Sequence, residues 1–244
     1  MDFAVAGHNL FITGQGGVGK SEVVKEIIRS FKRRGKVVGV ICSSGIACHV
    51  FDRGTASTVH SFYGLSTAEL PWRQLLDRSL ANSFIRDRVK ALDVIIWDEA
   101  SMSSKRIFEL VNFLHHELAT DEFSKSLPFA VKQVILVGEF LQLQPVPNLF
   151  DDGDFMCYSS SFNFSIPHRF GFTKLMHQSE DDKQFLSGLA DIRKGQCSIL
   201  LEQYLSSLGR DLPQALPEVA THIFLEKYLC SCQTDESSMH YLAS

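Results

Sequence analysis

The 244-residue sequence lacks an excess of positive charge, a cysteine framework and any long apolar run, and each absence removes a class of protein. Lys and Arg number 24 against 28 Asp and Glu, a net charge of −4, so a wholesale basic coat for nucleic acid is excluded while a local basic groove stays open. The balance is uneven: residues 1–100 carry 13 basic and 10 acidic side chains (+3), residues 101–244 carry 11 and 18 (−7). Six cysteines (Cys42, Cys48, Cys157, Cys197, Cys230 and Cys232) are too few for a disulfide scaffold, form no CxxC pair and have no histidine at zinc-site spacing. Reduced thiols inside a cell are expected. The opening MDFAVAGHNLFITG has neither the basic start nor the apolar stretch of a signal peptide, and nothing reaches the roughly 18 apolar residues of a membrane span. A soluble chain of the nucleus is expected, with mitochondrion or cytoplasm as alternatives. There is no internal repeat and no low-complexity tract. What is present, 45% hydrophobic and 21% charged residues, is an ordinary globular composition with enough apolar side chains for a core.

The pattern along the chain is α/β. Asn9–Thr13 is an apolar run ending in a glycine cluster, and Val23, Val24, Ile27, Ile28 and Phe31 then share one helical face, with Gly35 as the stop. Lys36–Cys42, Leu92–Trp97 and Lys132–Val137 have strand length and end in acidic or glycine residues. Ile107, Leu110, Val111, Leu114 and Leu118 mark an amphipathic helix, on which His115 and His116 read as surface or boundary residues. Alternating strands and helices predict a parallel sheet covered on both faces. After Pro147 no period is evident until a helix over Asp181–Lys194, with Ser179 as its cap and Gly195 as its stop; beyond it only Thr221–Leu225 resembles a strand. The expected division is a first domain over 1–150, a linker and small helical segment over 151–212, and the start of a further domain over 213–244.

The strongest chemical signal is Gly14-Gln15-Gly16-Gly17-Val18-Gly19-Lys20-Ser21, a full match to GxxxxGK[ST] between a strand and a helix. Glycines let backbone N–H groups turn inward around phosphate oxygens, and the helix N-terminus adds its positive end. Lys20 is expected on the β- and γ-phosphates and Ser21 on Mg²⁺. Such a loop needs a carboxylate at the end of a neighbouring strand. Val94-Ile95-Ile96-Trp97-Asp98-Glu99 supplies a pair, Asp98 for the metal and Glu99 for the attacking water. After the run Lys132–Val137, Gln142 could sense the γ-phosphate or orient water, although taken alone it reads as an ordinary loop residue. In Gly54–Phe62, hydroxyls, His60 and an aromatic suit phosphate contacts and base stacking on a single strand.

These motifs and their order, GQGGVGKS, SSGIAC…GTASTVHSF, IIWDEASM and GEFLQLQPV, resemble the Pif-one/RecD branch of superfamily-one DNA helicases. The match runs from about Asn9 to Val146 and continues more weakly over residues 174–195. The resemblance implies a RecA-like P-loop NTPase domain, ATP and Mg²⁺ as cofactors, and single-stranded DNA as a track followed 5′ to 3′, in the service of repair, recombination and telomere maintenance. It places nucleotide chemistry on Lys20 and Ser21, metal and hydrolysis on Asp98 and Glu99, γ-phosphate sensing on Gln142, and DNA contact on Thr58, His60, Ser61 and Phe62. The chain departs from the family pattern at Glu139, where the family has Asp, and at His177, where it has an arginine finger. The second motor domain that unwinding requires is expected from a partner or a segment beyond Ser244, so the chain alone is expected to unwind nothing. A nucleotide-binding interaction module remains the rival reading, and an unrelated P-loop kinase is disfavoured because kinases lack a sensing glutamine after the third strand.

Overall fold

The structure is a computed structural model describing residues 1–65, 69–174, 176 and 183–209. Its apolar runs become one parallel sheet: β1 (Leu10–Gly14), β2 (Val38–Cys42), β3 (Ala56–Thr58), β4 (Val94–Asp98), β5 (Gln133–Val137) and β6 (His168–Phe172), in spatial order β3-β2-β4-β5-β1-β6. Register is fixed by pairs such as Cys42 with Asp98, Trp97 with Leu136 and Ile12 with Val137. The connecting helices are α1 (Asp2–Val5), α2 (Lys20–Arg33), α3 (Gly45–Cys48), α4 (Val59–Tyr63), α5 (Trp72–Ala81), α6 (Ser83–Ala91), α7 (Lys105–Leu118), α8 (Glu122–Lys125), α9 (Ser160–Ser165), α10 (Lys183–Arg193) and α11 (Ile199–Leu208). No helix among the described residues is long and apolar enough to cross a membrane.

Period-two alternation divides each central strand between two cores. Leu10, Ile12, Val40, Val94, Ile96, Ile135 and Val137 face one side, where Val24, Ile27, Ile28 and Phe31 of α2 cover them. Phe11, Ile41, Ile95, Trp97, Val134 and Leu136 face the other, beneath Phe108, Leu110, Val111 and Leu114 of α7 and the rings of Phe62, Tyr63, Phe129 and Phe162. Both faces are therefore dry, and each such side chain contributes about 1.5–3 kcal/mol by leaving water. The polar ends of the strands, not their faces, remain for chemistry. Helix α7 starts where Ser104 Oγ accepts the Ile107 N–H at 3.2 Å, and α2 stops at Arg34, followed by Gly35 at φ +72°.

Several expectations change. β6 was not expected, because His168-Arg169-Phe170-Gly171-Phe172 alternates only half-buried and exposed positions, the weak signature of an edge strand. It pairs with β1; Met1–Gln196 form one compact unit, and α11, capped by Ser198, lies in the other. The strand bearing Asp98 is not the immediate neighbour of β1, since β5 lies between them. His115 is not a surface residue: it is 2% exposed, its Nε2 lies 3.0 Å from the Tyr63 hydroxyl, and burial pushes its pKa down to about 3. The apolar period of α7 alone could not show this, because α4 supplies the partner. Ser179, Thr221–Leu225 and the span 213–244 lie outside the described residues.

Candidate nucleotide and nucleic-acid site

The loop between β1 and α2 is shaped by two glycines. A Cβ on Gly14 would lie 2.4 Å from the Phe172 carbonyl oxygen of β6, at φ +143°. Gly19 caps α2 in the left-handed region (φ 82°, ψ 19°), with no side chain over the helix's first N–H groups. Those donors and the positive helix end are what an anion needs. Val18 turns its side chain into the protein, at 6% exposure, which leaves only its backbone to face a ligand. Lys20 folds back on its own loop: Nζ donates to the Gly14 carbonyl at 2.6 Å and to that of Gln15 at 3.2 Å. Burial lowers its pKa, against the opposing pull of Glu99, Glu139 and Asp98.

Those carboxylates sit at the C-terminal ends of β4 and β5. Asp98 is 6% exposed, and burial pushes its carboxyl up to about 6, with the Glu99 N–H, which donates to Oδ1 at 3.0 Å, and Lys20 pulling the other way. A carboxylate whose charged form is disfavoured by desolvation is a group that a bound cation would stabilise. Glu99 occupies the left-handed region at φ 49°, ψ 38°, a strained conformation for a residue with a side chain, worth about 1–3 kcal/mol and characteristic of functional turns. Ser21, at the start of α2, and Asp98 are the residues that would share a divalent cation. The donor set fits Mg²⁺, which takes one or two protein oxygens and leaves the rest to phosphate and water.

After β5 the chain passes Gly138 and turns sharply. Glu139 is 4% exposed; its N–H donates to Ser101 Oγ at 3.3 Å, and its carbonyl accepts the Gln142 N–H at 3.0 Å. Gln142 is thereby set over the phosphate loop, its Nε2 3.8 Å from where a Cβ on Gly16 would stand. Lys20, Asp98, Glu99 and Gln142 thus share one edge of the sheet, where ligands bind in open α/β folds. Two contributors were missed. Met176 donates its N–H to the Gly17 carbonyl at 2.8 Å and so touches the phosphate loop; His177 is outside the described residues. Arg193, at the end of α10, pairs with Glu139 at 2.6 Å. No local signal could have found it, because its partner lies 54 positions away.

The Thr58–Phe62 segment is built differently. Thr58 Oγ1 accepts the Ser61 N–H at 3.2 Å and so caps α4. Phe62 was expected to offer a ring for base stacking, but it is 8% exposed, packed in the core, and the Arg88 guanidinium lies 4.3 Å from its ring centroid. The residue period of a short helix, invisible in a five-residue window, turns it inward. Ser61 is exposed and His60 half-buried, its pKa lowered by burial, in a cavity of about 300 Å³ shared with Ser43, Ser104, Gln144 and Asp151.

A parallel sheet of order β3-β2-β4-β5-β1-β6, with a glycine-rich loop after β1 and carboxylates after β4, defines a P-loop nucleotide-binding protein of RecA-like fold. Residues 2–202 match the PIF1-like helicase family, and the chain belongs to it. The ATP-dependent DNA helicase PIF1 of Emericella nidulans is 29% identical over 224 residues, covering 89% of this chain and 29% of the relative. The crystal structure of Pif1 helicase from Candida albicans superimposes with a TM-score of 0.82 at 25% identity, over 97% of this chain and 52% of that one. The fold is shared with Pif1 helicase from Bacteroides in complex with ADP-AlF3 and ssDNA (TM-score 0.74, 24% identity, 95% of this chain and 53% of that one). The chain spans 29–31% of the length of the first curated relatives it matches.

Proposed function

We propose that the chain is the nucleotide-hydrolysing motor unit of an ATP-dependent DNA helicase, binding ATP with Mg²⁺ at the loop Gly14–Ser21 and single-stranded DNA on the side of His60 and Ser61. The observation that carries this reading is the convergence of Lys20, Asp98, Glu99 and Gln142 on one sheet edge, three of them from elements far apart in sequence. Nucleotide phosphates would replace the Gly14 and Gln15 carbonyls as partners of Lys20, and the N-terminal end of α2 would face the anion. Ser21 and Asp98 would hold the cation, which would supply Lewis-acid stabilisation of developing negative charge. Glu99 accepts a proton from water, and Gln142 offers both a donor and an acceptor to the γ-phosphate or that water.

The partners in this reading are single-stranded DNA and a second motor unit against which this one opens and closes; among the described residues there is one such sheet. DNA contact falls to His60, Ser61 and the Thr58 backbone, with Phe62 supporting them from the core. The proposed place of action is the nucleus, on chromosomal DNA. The test is ATP turnover by the purified chain with and without single-stranded DNA. Stimulation that disappears in Glu99→Gln is expected; nucleotide binding without any DNA stimulation would favour the interaction-module reading instead.

A further inference from the structure

The turn after β5, from Gly138 to Gln142, is held from outside by a residue that the nucleotide chemistry does not use. Glu139 makes four contacts there. Its N–H donates to Ser101 Oγ (3.3 Å), just after the Asp98–Glu99 pair; its carbonyl accepts the Gln142 N–H (3.0 Å); Oε1 accepts the Leu141 N–H (3.2 Å); and Oε2 accepts from Arg193 Nη2 (2.6 Å). The Glu139 side chain is 5% exposed and that of Arg193 31%, so water does little for the carboxylate and the guanidinium is its countercharge. Arg193 Nε is also buried and without a hydrogen-bond partner. Arg193 and Gln142 line the same cavity of about 350 Å³ as Gln15 and Gly16 of the phosphate loop, roofed by Leu186, Leu189 and Ile192 of α10.

We infer that Arg193 is a positioning residue for γ-phosphate recognition: by pairing with Glu139 it clamps α10 onto the turn that presents Gln142 to the phosphate loop. The two carboxylate oxygens of Glu139 serve the Leu141 N–H and Arg193 separately, so the side chain ties the turn to α10. It also gives α10 a function, since the helix reports through one side chain on whether the turn is set. This inference rests on the proposed nucleotide site, deepening it by one residue.

Two measurements on the full 244-residue chain test it. The first needs no nucleotide: hydrogen exchange of the Leu141 and Gln142 amides, which should quicken in Arg193→Ala while those of Val134, Ile135 and Leu136 in β5 stay protected. The second compares affinity for a non-hydrolysable ATP analogue with that for ADP. Arg193→Ala should lower the preference for the analogue about tenfold, the worth of one hydrogen bond to a charged oxygen, with ADP affinity little changed. A general structural defect would weaken both nucleotides alike. Gln142→Ala should lose the same preference, the double variant should lose no more, and Arg193→Lys should recover part of it. If Arg193→Ala does not fold, Glu139→Gln with Arg193→Met removes the pair without stranding a charge and should show the same two losses. Unchanged amide exchange overturns the clamp, and an unchanged analogue-to-ADP ratio overturns its link to the phosphate. If the unaltered chain binds neither nucleotide, the nucleotide reading falls, and the exchange result alone decides whether the clamp exists.

Discussion

The phosphate edge and the Thr58–Phe62 segment are both rich in motif residues, yet they are built on opposite plans. At the phosphate edge, charged side chains are held in partial burial against one another: Lys20 with its pKa lowered, Asp98 pushed up to about 6, Glu139 4% exposed and paired with Arg193. That arrangement costs stability, and charged groups perturbed in this way cluster where ligands bind. In the Thr58–Phe62 segment the same kind of motif residue is already satisfied, Thr58 as a helix cap and Phe62 as a core ring under Arg88. A motif residue can therefore act directly on a ligand or by building the surface that does.

The comparison is broken most directly at Phe62. Phe62→Ala should cost about 3–5 kcal/mol of folding stability, measured by urea unfolding, because it empties a core site. A variant that keeps full stability but loses single-stranded DNA affinity would return Phe62 to the binding surface. At the other region, Lys20→Ala should weaken binding of a fluorescent ATP analogue by on the order of 10²–10³-fold, the usual loss for one partner of a desolvated charge pair, with the circular dichroism spectrum retained. Affinity that survives this change would remove the phosphate edge from the reading.

Asp98 sharpens the contrast through pH. Its folded pKa of about 6 lies above the ordinary 3.8, so the folded chain holds this proton more tightly than the unfolded chain. Its contribution is neutral below about pH 4 and becomes a penalty, growing to about 3 kcal/mol, as pH rises through 6. Asp98→Asn should accordingly stabilise the nucleotide-free chain at pH 7–8 and not at pH 4, in thermal melts across that range. Mg²⁺-dependent nucleotide binding should strengthen as pH rises through about 6 and lose that dependence in Asp98→Asn. A flat melting difference between the two proteins contradicts the buried, uncompensated carboxyl.

The smallest effect is at Thr58. Removing the cap by Thr58→Ala should cost about 1 kcal/mol, whereas Ser61→Ala, at an exposed position, should leave stability within about 0.5 kcal/mol. If Ser61→Ala nevertheless lowers single-stranded DNA affinity while Thr58→Ala lowers it only in proportion to stability, the division between direct and supporting residues holds.

Much of the fold was legible in advance because its signals are local. Four of the strands, β1, β2, β4 and β5, announce themselves as apolar runs because both their faces are buried, and α2 and α7 by the spacing of Val24, Ile27, Ile28 and of Ile107, Leu110, Leu114. β6 escaped because an edge strand satisfies only one neighbour and can remain half polar. His115 and Phe62 escaped because their burial is decided by α4 meeting α7 and α6, contacts that no local window contains. Family membership followed from ordered motifs, which are strings of residues and need no third dimension.

The sequence by itself determined the phosphate loop, since the positive-φ glycines Gly14 and Gly19 and the lysine after them fall within eight consecutive residues, although β6 also closes the space at Gly14. It also determined the dry strands, because a period of two or an unbroken apolar run is written in adjacent positions. Tertiary structure alone decided the order of strands that inserts β5 between the lysine and its carboxylates, the strained turn at Glu99, and the Glu139–Arg193 pair that closes on Gln142. The strand order and the ion pair join residues tens of positions apart, and a charge or a hydrogen bond acts through distance in space, which only the packed chain defines.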